Sequence, residues 1–276
     1  MSGDLAGTAL QSCRMELLAY LLTGAAAGLL AGLLGVGGGI IIVPMLAWLF
    51  AQQGFASESV MHYAVGTSLA VIIPTSLASL LTHQRLGGVL WPVACRMTVG
   101  VIPGALLGAW LAAQMNSAHL SRLFGVFMLL IALKFIVGVK PGSNRTLPGG
   151  VVLGGSGAAI GLVSSVLGIG GGSMSVPLLL WCGQNIRVAV GTSAALGLPI
   201  AVAGTAGFIV NGLTSAGQPG INSGFVYWPA VAGVVLASVA LAPVGARLAH
   251  YLPQQTLQHV FALLLAIIGL KMIAGG

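Results

Sequence analysis

The residues best suited to chemistry in this sequence stand in two glycine-rich stretches. Each has three successive glycines inside an apolar run: Gly37, Gly38 and Gly39 in the first, and Gly170, Gly171 and Gly172, followed by Ser173, in the second. Three glycines in a row favour a helix break, which frees the amide N–H groups at the start of the next helix. Those groups and the positive end of the helix dipole bind anions. We therefore predict an anion site at these breaks.

The alternative is that the glycines only let helices pack closely, as small residues do in membranes. Both stretches occupy matching positions, and each is followed at five residues by a proline, Pro44 or Pro177. This duplication favours the binding interpretation over packing alone. Neither stretch is a nucleotide fingerprint, because no βαβ pattern surrounds it and no P-loop lysine follows.

A second duplicated element carries hydroxyl groups. Ala-Val-Gly-Thr-Ser occurs twice and supplies two pairs of adjacent hydroxyls, Thr67 with Ser68 and Thr192 with Ser193. In an apolar helix these hydroxyls could donate to substrate oxygens. The alternative is that each bonds to the carbonyl four residues back in its own helix. Repetition favours the substrate role.

The elements that position these residues form two copies of one unit. Gly39 and Gly172 lie 133 residues apart, Thr67 and Thr192 lie 125 apart, and the Trp-Pro pairs that begin at 91 and 228 lie 137 apart. The predicted organisation is a lead-in over 1–16, a first repeat over 17–139, a loop over 140–148 and a second repeat over 149–276. Internal repeats in an apolar chain are typical of transporters whose substrate site lies between the repeats.

Composition places both repeats in a membrane. Apolar residues make up 57% of the chain and charged residues 5%, against about 25% charged residues in soluble domains. Eight charge-poor runs meet or approach the roughly 20 residues that span a bilayer: 17–34, 60–82, 88–113, 118–139, 149–167, 188–212, 224–250 and 255–275. Two shorter runs, 40–51 and 172–182, are predicted to be tilted or re-entrant. We expect an all-α polytopic membrane protein with about five segments per repeat and no removable signal peptide.

Loop charges bear on orientation, since cytoplasmic loops collect Lys and Arg. If all ten segments cross and the 83–88 loop with Arg85 is placed inside, Lys140, Arg145, Arg187 and Arg247 also fall inside, and Arg14, Arg122 and Lys271 fall outside. The matching loops 83–88 and 213–223 then lie on opposite faces, which predicts inverted repeats. If the two short segments only dip in and return, eight spans remain and the repeats would be parallel.

Arg96 is a candidate counter-charge for an anion. It lies about eight residues into an apolar run, and charged residues inside membrane segments are costly and usually functional.

The sequence gives little support for catalytic, metal-binding or disulfide chemistry. The cysteines, Cys13, Cys95 and Cys182, show no paired spacing, so neither a disulfide framework nor a zinc site is predicted. All three acids precede residue 60. We therefore predict no enzyme, no cofactor and no metal, and the scattered Lys and Arg argue against nucleic-acid binding.

Three motifs resemble those of a known family. They are the Leu-Gly-x-Gly-Gly-Gly-x-x-x-x-Pro element (34–44 and 167–177), the Ala-Val-Gly-Thr-Ser element (64–68 and 189–193) and the Gly-Ala-Arg-Leu-Ala stretch at 245–249. Together they resemble the TauE/SafE sulfite exporter family, also called TSUP, over about 17–275. The resemblance implies a bacterial or archaeal inner-membrane protein that moves small sulfur-containing anions: sulfite, sulfoacetate or other organosulfonates, or thiosulfate. The first repeat has Trp110 where the second has Arg247, so a role for that arginine would belong to one repeat.

The predicted function is therefore secondary transport of a small sulfur-containing anion, with membrane lipid as the surroundings and the site between the repeats. An anion channel with the same glycine-rich site is the alternative. The absence of carboxylates along the path fits an anion and removes the usual proton relay. Coupling to a proton or to sodium, the direction of transport and the oligomeric state stay open.

Overall fold

The computed structural model describes residues 2–34, 38–137, 147–213, 221–248 and 254–275. In these residues ten helices and one two-stranded hairpin follow one another along the chain. They are α1 Ser2–Leu34, α2 Gly39–Gln52, α3 Val60–Arg85, α4 Trp91–Gln114, α5 Ser117–Val137, α6 Gly150–Leu167, α7 Gly172–Trp181, α8 Ile186–Gly212, β1 Asn222–Ser223, β2 Val226–Tyr227, α9 Trp228–Leu248 and α10 Gln254–Ala274.

The ten helices match the ten predicted apolar segments, and the all-α prediction is confirmed. Five of them, α3, α4, α5, α6 and α8, are long and apolar enough in the described residues to cross a membrane. The helices α2 and α7 have 14 and 10 residues, or about 21 Å and 15 Å at 1.5 Å per residue. They are the two short segments that follow the glycine stretches.

Local sequence explains several helix boundaries. Pro92 stands in the first turn of α4, where its missing N–H costs nothing. The side chain of Asn185 accepts a hydrogen bond from the amide of Val188 at 2.9 Å and caps α8. The helix α6 ends at Leu167 and is followed by Gly168, whose φ of +70° suits a glycine. The next amide, that of Ile169, donates back to the carbonyl of Ser164 at 2.9 Å.

Matching helices of the two predicted repeats pack antiparallel. Along α3 and α8, Gly66 lies against Phe208, whereas Ser76, ten residues later, lies against the earlier residue Gly197. The helices α5 and α10 show the same order, since the hydroxyl of Ser121 near the start of α5 donates to a carbonyl near the end of α10 at 2.9 Å. Their interface is also close, because Gly125 of α5 lies against Gly269 of α10.

Non-matching helices from different repeats pack parallel along stripes of small residues. In α1, Gly24 and Gly28 lie against the backbone of Val234 and Ser238 of α9, in the same order along both helices. In α4, the glycines at 100, 104 and 108 lie in the same way against α6. Small residues allow this approach of helix backbones. Each of these two pairs therefore joins one helix from each repeat.

The helix ends define two faces of the bundle. Face one is where α3, α5 and α9 begin, and face two is where α4, α6 and α8 begin. The helix α1 enters from face one and α2 returns there, because the hydroxyl of Tyr20 bonds to the side chain of Gln53 at 2.8 Å. The helix α6 enters from face two, where Gly150 lies near Arg96, and α7 returns there to lead into α8.

We call the turns of these two pairs the first tip (Gly38 and Gly39 among the described residues) and the second tip (residues 168–172). Of the two expectations for the short segments, crossing or returning, the helix ends favour returning. Three helices of each repeat, α3 to α5 and α8 to α10, then run from one face to the other. The large buried side chains, including Phe50, Phe124 and Phe208, fill the space between these helices and the paired segments.

Candidate functional site

The two tips contact each other inside the bundle. Gly39, the first residue of α2, lies so close to the second tip that an added Cβ would stand 2.5 Å from the carbonyl oxygen of Gly168 and 3.0 Å from the Cα of Ile169. Both Gly39 and Gly168 are buried. The structure therefore brings together the two glycine stretches that lie far apart in sequence. Gly37 lies outside the described residues.

The tips differ in backbone conformation although their sequences match. Gly171 has a φ of +75°, in the left-handed region that favours glycine. Its counterpart Gly38 has a φ of −69° and a ψ of −16°, which any residue adopts. Gly38 accepts from the amides of Ile41 and Ile42 at 3.0 Å, so it begins α2 without a strained turn.

The serines of both Ala-Val-Gly-Thr-Ser elements take part in hydrogen bonds at the second tip, Ser68 directly and Ser193 through Ser175. The hydroxyl of Ser68, from α3, donates to the carbonyl of Gly168 at 2.8 Å. The hydroxyl of Ser175 donates to the carbonyl of Gly171 at 2.9 Å and lies 2.6 Å from the hydroxyl of Ser193. Two carbonyls of the second tip are thus held in fixed directions by one serine from each repeat.

The threonines of the same elements hold loops of the other repeat. The hydroxyl of Thr67 accepts from the amide of Tyr227 at 3.1 Å, and that of Thr192 accepts from the amide of Leu90 at 3.0 Å. Tyr227 and Leu90 each precede a Trp-Pro pair, so each threonine fixes the start of the helix that begins there. The alternative bond to a carbonyl four residues back is not the one seen. The substrate role of these hydroxyls stays a prediction.

Sequence reasoning missed a group of hydroxyls around the second tip. Ser164 and Ser165, at the end of α6, are 2% and 0% exposed, and Thr205 of α8 is also buried. Their hydroxyls, together with that of the predicted residue Ser173, find no hydrogen-bond partner among the described residues. The signal available in the sequence was an adjacent serine pair directly before the second glycine stretch, without an equivalent in the first repeat.

Arg96 does not join the other predicted residues. It is the sixth residue of α4, its side chain is exposed, and its Cδ lies near Gly150 at the start of α6. At 1.5 Å per residue it stands about 8 Å along the helix, within reach of face two for a long side chain. Its role as a counter-charge stays a prediction.

Among the described residues, the buried interior carries hydroxyls and no Lys, Arg, Asp or Glu side chain. In the part of the chain that the structure describes, the buried polar residues are serines and threonines with one histidine. That histidine, His62, lies near the start of α3 and is buried, with its Nε2 3.1 Å and 3.0 Å from carbonyls at the end of α4. No group of three His, Cys, Asp or Glu able to hold a metal occurs within the described ranges.

Comparison with known proteins agrees with this architecture. The family model described as "Sulfite exporter TauE/SafE" matches residues 20–272. The chain belongs to the TauE/SafE sulfite exporter family. Its members among curated proteins are named as membrane transporters, so this chain is a multi-pass membrane transporter and not an enzyme. The prediction drawn from the glycine, Ala-Val-Gly-Thr-Ser and Gly-Ala-Arg-Leu-Ala motifs is confirmed at the level of the family.

Similar curated proteins come from distant organisms. A "Probable membrane transporter protein" of Haemophilus influenzae is 33% identical over 259 residues, which cover 93% of this chain and 97% of that protein. YunE of Bacillus subtilis is 27% identical, with 95% and 99% covered. MJ0441 of Methanocaldococcus jannaschii is 25% identical, with 92% and 94% covered. No solved structure matches.

Proposed function

We propose that this protein is a secondary transporter that moves a small sulfur-containing anion, such as sulfite, sulfoacetate or thiosulfate, across the inner membrane. The observation that carries the proposal is the meeting of two glycine-rich tips inside the bundle, beside buried hydroxyls that lack partners. Amide and hydroxyl donors bind oxyanions. The family name supports the choice of a sulfur anion.

The proposal includes inverted repeats, with α1–α2 and α6–α7 entering from opposite sides of the membrane. The antiparallel packing of α3 on α8 and of α5 on α10 supports inversion. The hydropathy pattern alone predicts parallel repeats if the short segments return. Parallel repeats do not follow from the return of α2 and α7, because α1 and α6 pair with them and also do not cross. Three crossing helices per repeat then remain, and an odd number inverts the second repeat relative to the first.

Two features favour a carrier over a channel. The tips are packed against each other and buried, so the arrangement resembles two gates that meet at one site rather than an open pore. The interior of the described residues also offers neutral donors without buried Lys or Arg. Neutral donors hold an anion less tightly than a buried cation would, which favours release on the far side.

Proteoliposomes test the proposal. The purified protein is reconstituted, and uptake of sulfite, thiosulfate and sulfoacetate is measured under imposed pH, sodium and voltage gradients. A carrier gives saturable uptake that is accelerated by the same anion on the opposite side. Ohmic single-channel currents would instead identify an anion channel, and absence of protein-dependent flux for all three anions would refute a sulfur-anion transporter.

A further inference from the structure

We infer that the anion is held by the second tip alone, through the hydroxyls of Ser164, Ser165 and Ser173 and the free amides of residues 170–173. This inference rests on the proposed function and deepens it, since it assigns the site to one repeat instead of sharing it equally. The chemical class of ligand is an –SO₃ group, as in sulfite or a sulfonate. Such a group presents three acceptor oxygens to separate donors.

The unpartnered hydroxyls differ from several other helical hydroxyls in this protein, which bond within their own helix. A serine or threonine in an apolar helix usually bonds to a carbonyl three or four residues back. Ser156, also in α6, does so at 2.9 Å, and Thr23 and Thr75 do so in other helices. Ser164, Ser165 and Ser173 find no partner among the described residues although they are only 2%, 0% and 6% exposed.

Leaving a buried hydroxyl unpaired is unfavourable. Ser164 and Ser173 stand on either side of the second tip, at the end of α6 and the start of α7, and the hydroxyl of Ser165 lies 2.9 Å from the position that a Cβ would take on Gly204 of α8. These unpaired hydroxyls point to a ligand that supplies the missing acceptors. Ser164 faces the tip directly, because its hydroxyl lies 3.5 Å from the position that a Cβ would take on Gly171. Ser173 is the second residue of α7, where the helix dipole favours an anion.

The backbone of the second tip presents donors as well. The carbonyl of Gly171 accepts from the amides of Met174 and Ser175 at 3.0 Å and 2.9 Å and from the Ser175 hydroxyl, so it points into α7. In a trans peptide the N–H points opposite to the carbonyl, which directs the Gly172 amide away from the helix. The amides of residues 170–173 donate to no described acceptor.

The first repeat has no hydroxyl group at any of the matching positions. By the 133-residue offset of the glycine stretches, the counterparts of Ser164, Ser165, Ser173 and Ser175 are Ala31, Gly32, Ile40 and Ile42. Ile40 and Ile42 are buried and packed into the main core. Ser68, the first-repeat serine that matches Ser193, donates instead to the second tip. The first repeat therefore supplies no matching hydroxyl donors, and the polar groups of the proposed site come from the second.

The test uses the full-length protein in detergent, with sodium sulfite and sodium sulfoacetate as probes. Binding is measured by calorimetry, and thermal unfolding is measured without anion. The variants are Ser164→Ala and Ser173→Ala, and the control is Ser156→Ala on the same helix as Ser164. Since each lost bond to an ion weakens binding by about tenfold, we expect about that loss in both variants and no loss in the control.

Unfolding without anion separates a ligand site from a structural role. Removal of an unpaired buried hydroxyl leaves the melting temperature unchanged or raises it, whereas removal of a structural hydroxyl lowers it. Full affinity for sulfite in both alanine variants would overturn the assignment to the second tip and leave the transporter proposal standing. An equal loss in Ser156→Ala would also overturn it, because the effect would not be local. Failure of the unaltered protein to bind either probe would overturn the inference and count against the proposed substrate class.

Discussion

Two glycines that the sequence motif treats as equivalent should respond differently to the same substitution. Gly171→Ala places a Cβ on a residue with a φ of +75°, 2.5 Å from the Cδ1 of Ile200. The left-handed conformation costs an L-residue about 1–2 kcal/mol, and the displaced methyl adds about 1 kcal/mol. Gly38→Ala has the Cδ1 of Ile42 at 3.2 Å as its nearest contact and Ala27 at an ordinary 3.6 Å, and lower entropy of the unfolded chain stabilises by about 0.4–1 kcal/mol.

The expected difference in the free energy of unfolding between the two variants is about 2–4 kcal/mol. With about 2–4 °C per kcal/mol for a chain of this size, Gly171→Ala should lower the melting temperature by roughly 5–10 °C, and Gly38→Ala should leave it nearly unchanged. The assay is thermal unfolding in detergent without anion. Gly170→Ala serves as a further control inside the same tip, because its added Cβ has Ile72 at 3.2 Å as its nearest contact and no positive φ. Equal destabilisation by all three alanines would refute the backbone explanation.

Three further outcomes follow from the same contacts. Thr192→Val keeps the shape but removes the acceptor of the amide that precedes α4, so the free energy of unfolding in chemical denaturation should fall by about 1–3 kcal/mol. Thr192→Ser should restore stability, and an unchanged free energy of unfolding in the Val variant would disprove the role. In a cysteine-free background, single cysteines at Gln53 and Gln84 should react with an impermeant thiol reagent from opposite sides of the membrane, and labelling from one side would contradict the two-face arrangement. Gly104→Ala places a Cβ against the backbone of α6, whereas Gly155→Ala meets nothing within 4 Å; the first should lower the melting temperature and the second should not, and equal effects would show that α4 and α6 do not pack as described.

Features that repeat along the chain were the ones that sequence could predict. The ten helical segments, the short length of α2 and α7 and the proximity of the glycine stretches all rest on hydropathy and duplicated motifs. The partners of Thr67 and Thr192 were out of reach, because the residues they bond lie 160 and 102 positions away. Such pairings depend on how the two repeats interlock.

Features that occur in one repeat only were not predicted from the sequence. Weighting duplicated residues directed attention away from Ser164 and Ser165, which occur in one repeat only. Arg96 was given weight from its depth in an apolar run, but α4 begins at Trp91 and leaves the arginine side chain exposed. The position of a residue within an apolar run of the sequence does not specify where the helix begins or which side of the helix is buried.

The exchange of contacts between repeats has a consequence for biosynthesis. The start of α4 is fixed by Thr192, and α1 packs along α9. The first half of the chain therefore cannot form these contacts until residues more than 100 positions later have been translated. When α1 to α5 have left the ribosome, their small-residue stripes are unmatched, and the insertion machinery or a chaperone has to shield them. A nascent chain arrested near residue 140 should therefore be a substrate for membrane proteases, whereas co-expression of the two halves should rescue both from degradation.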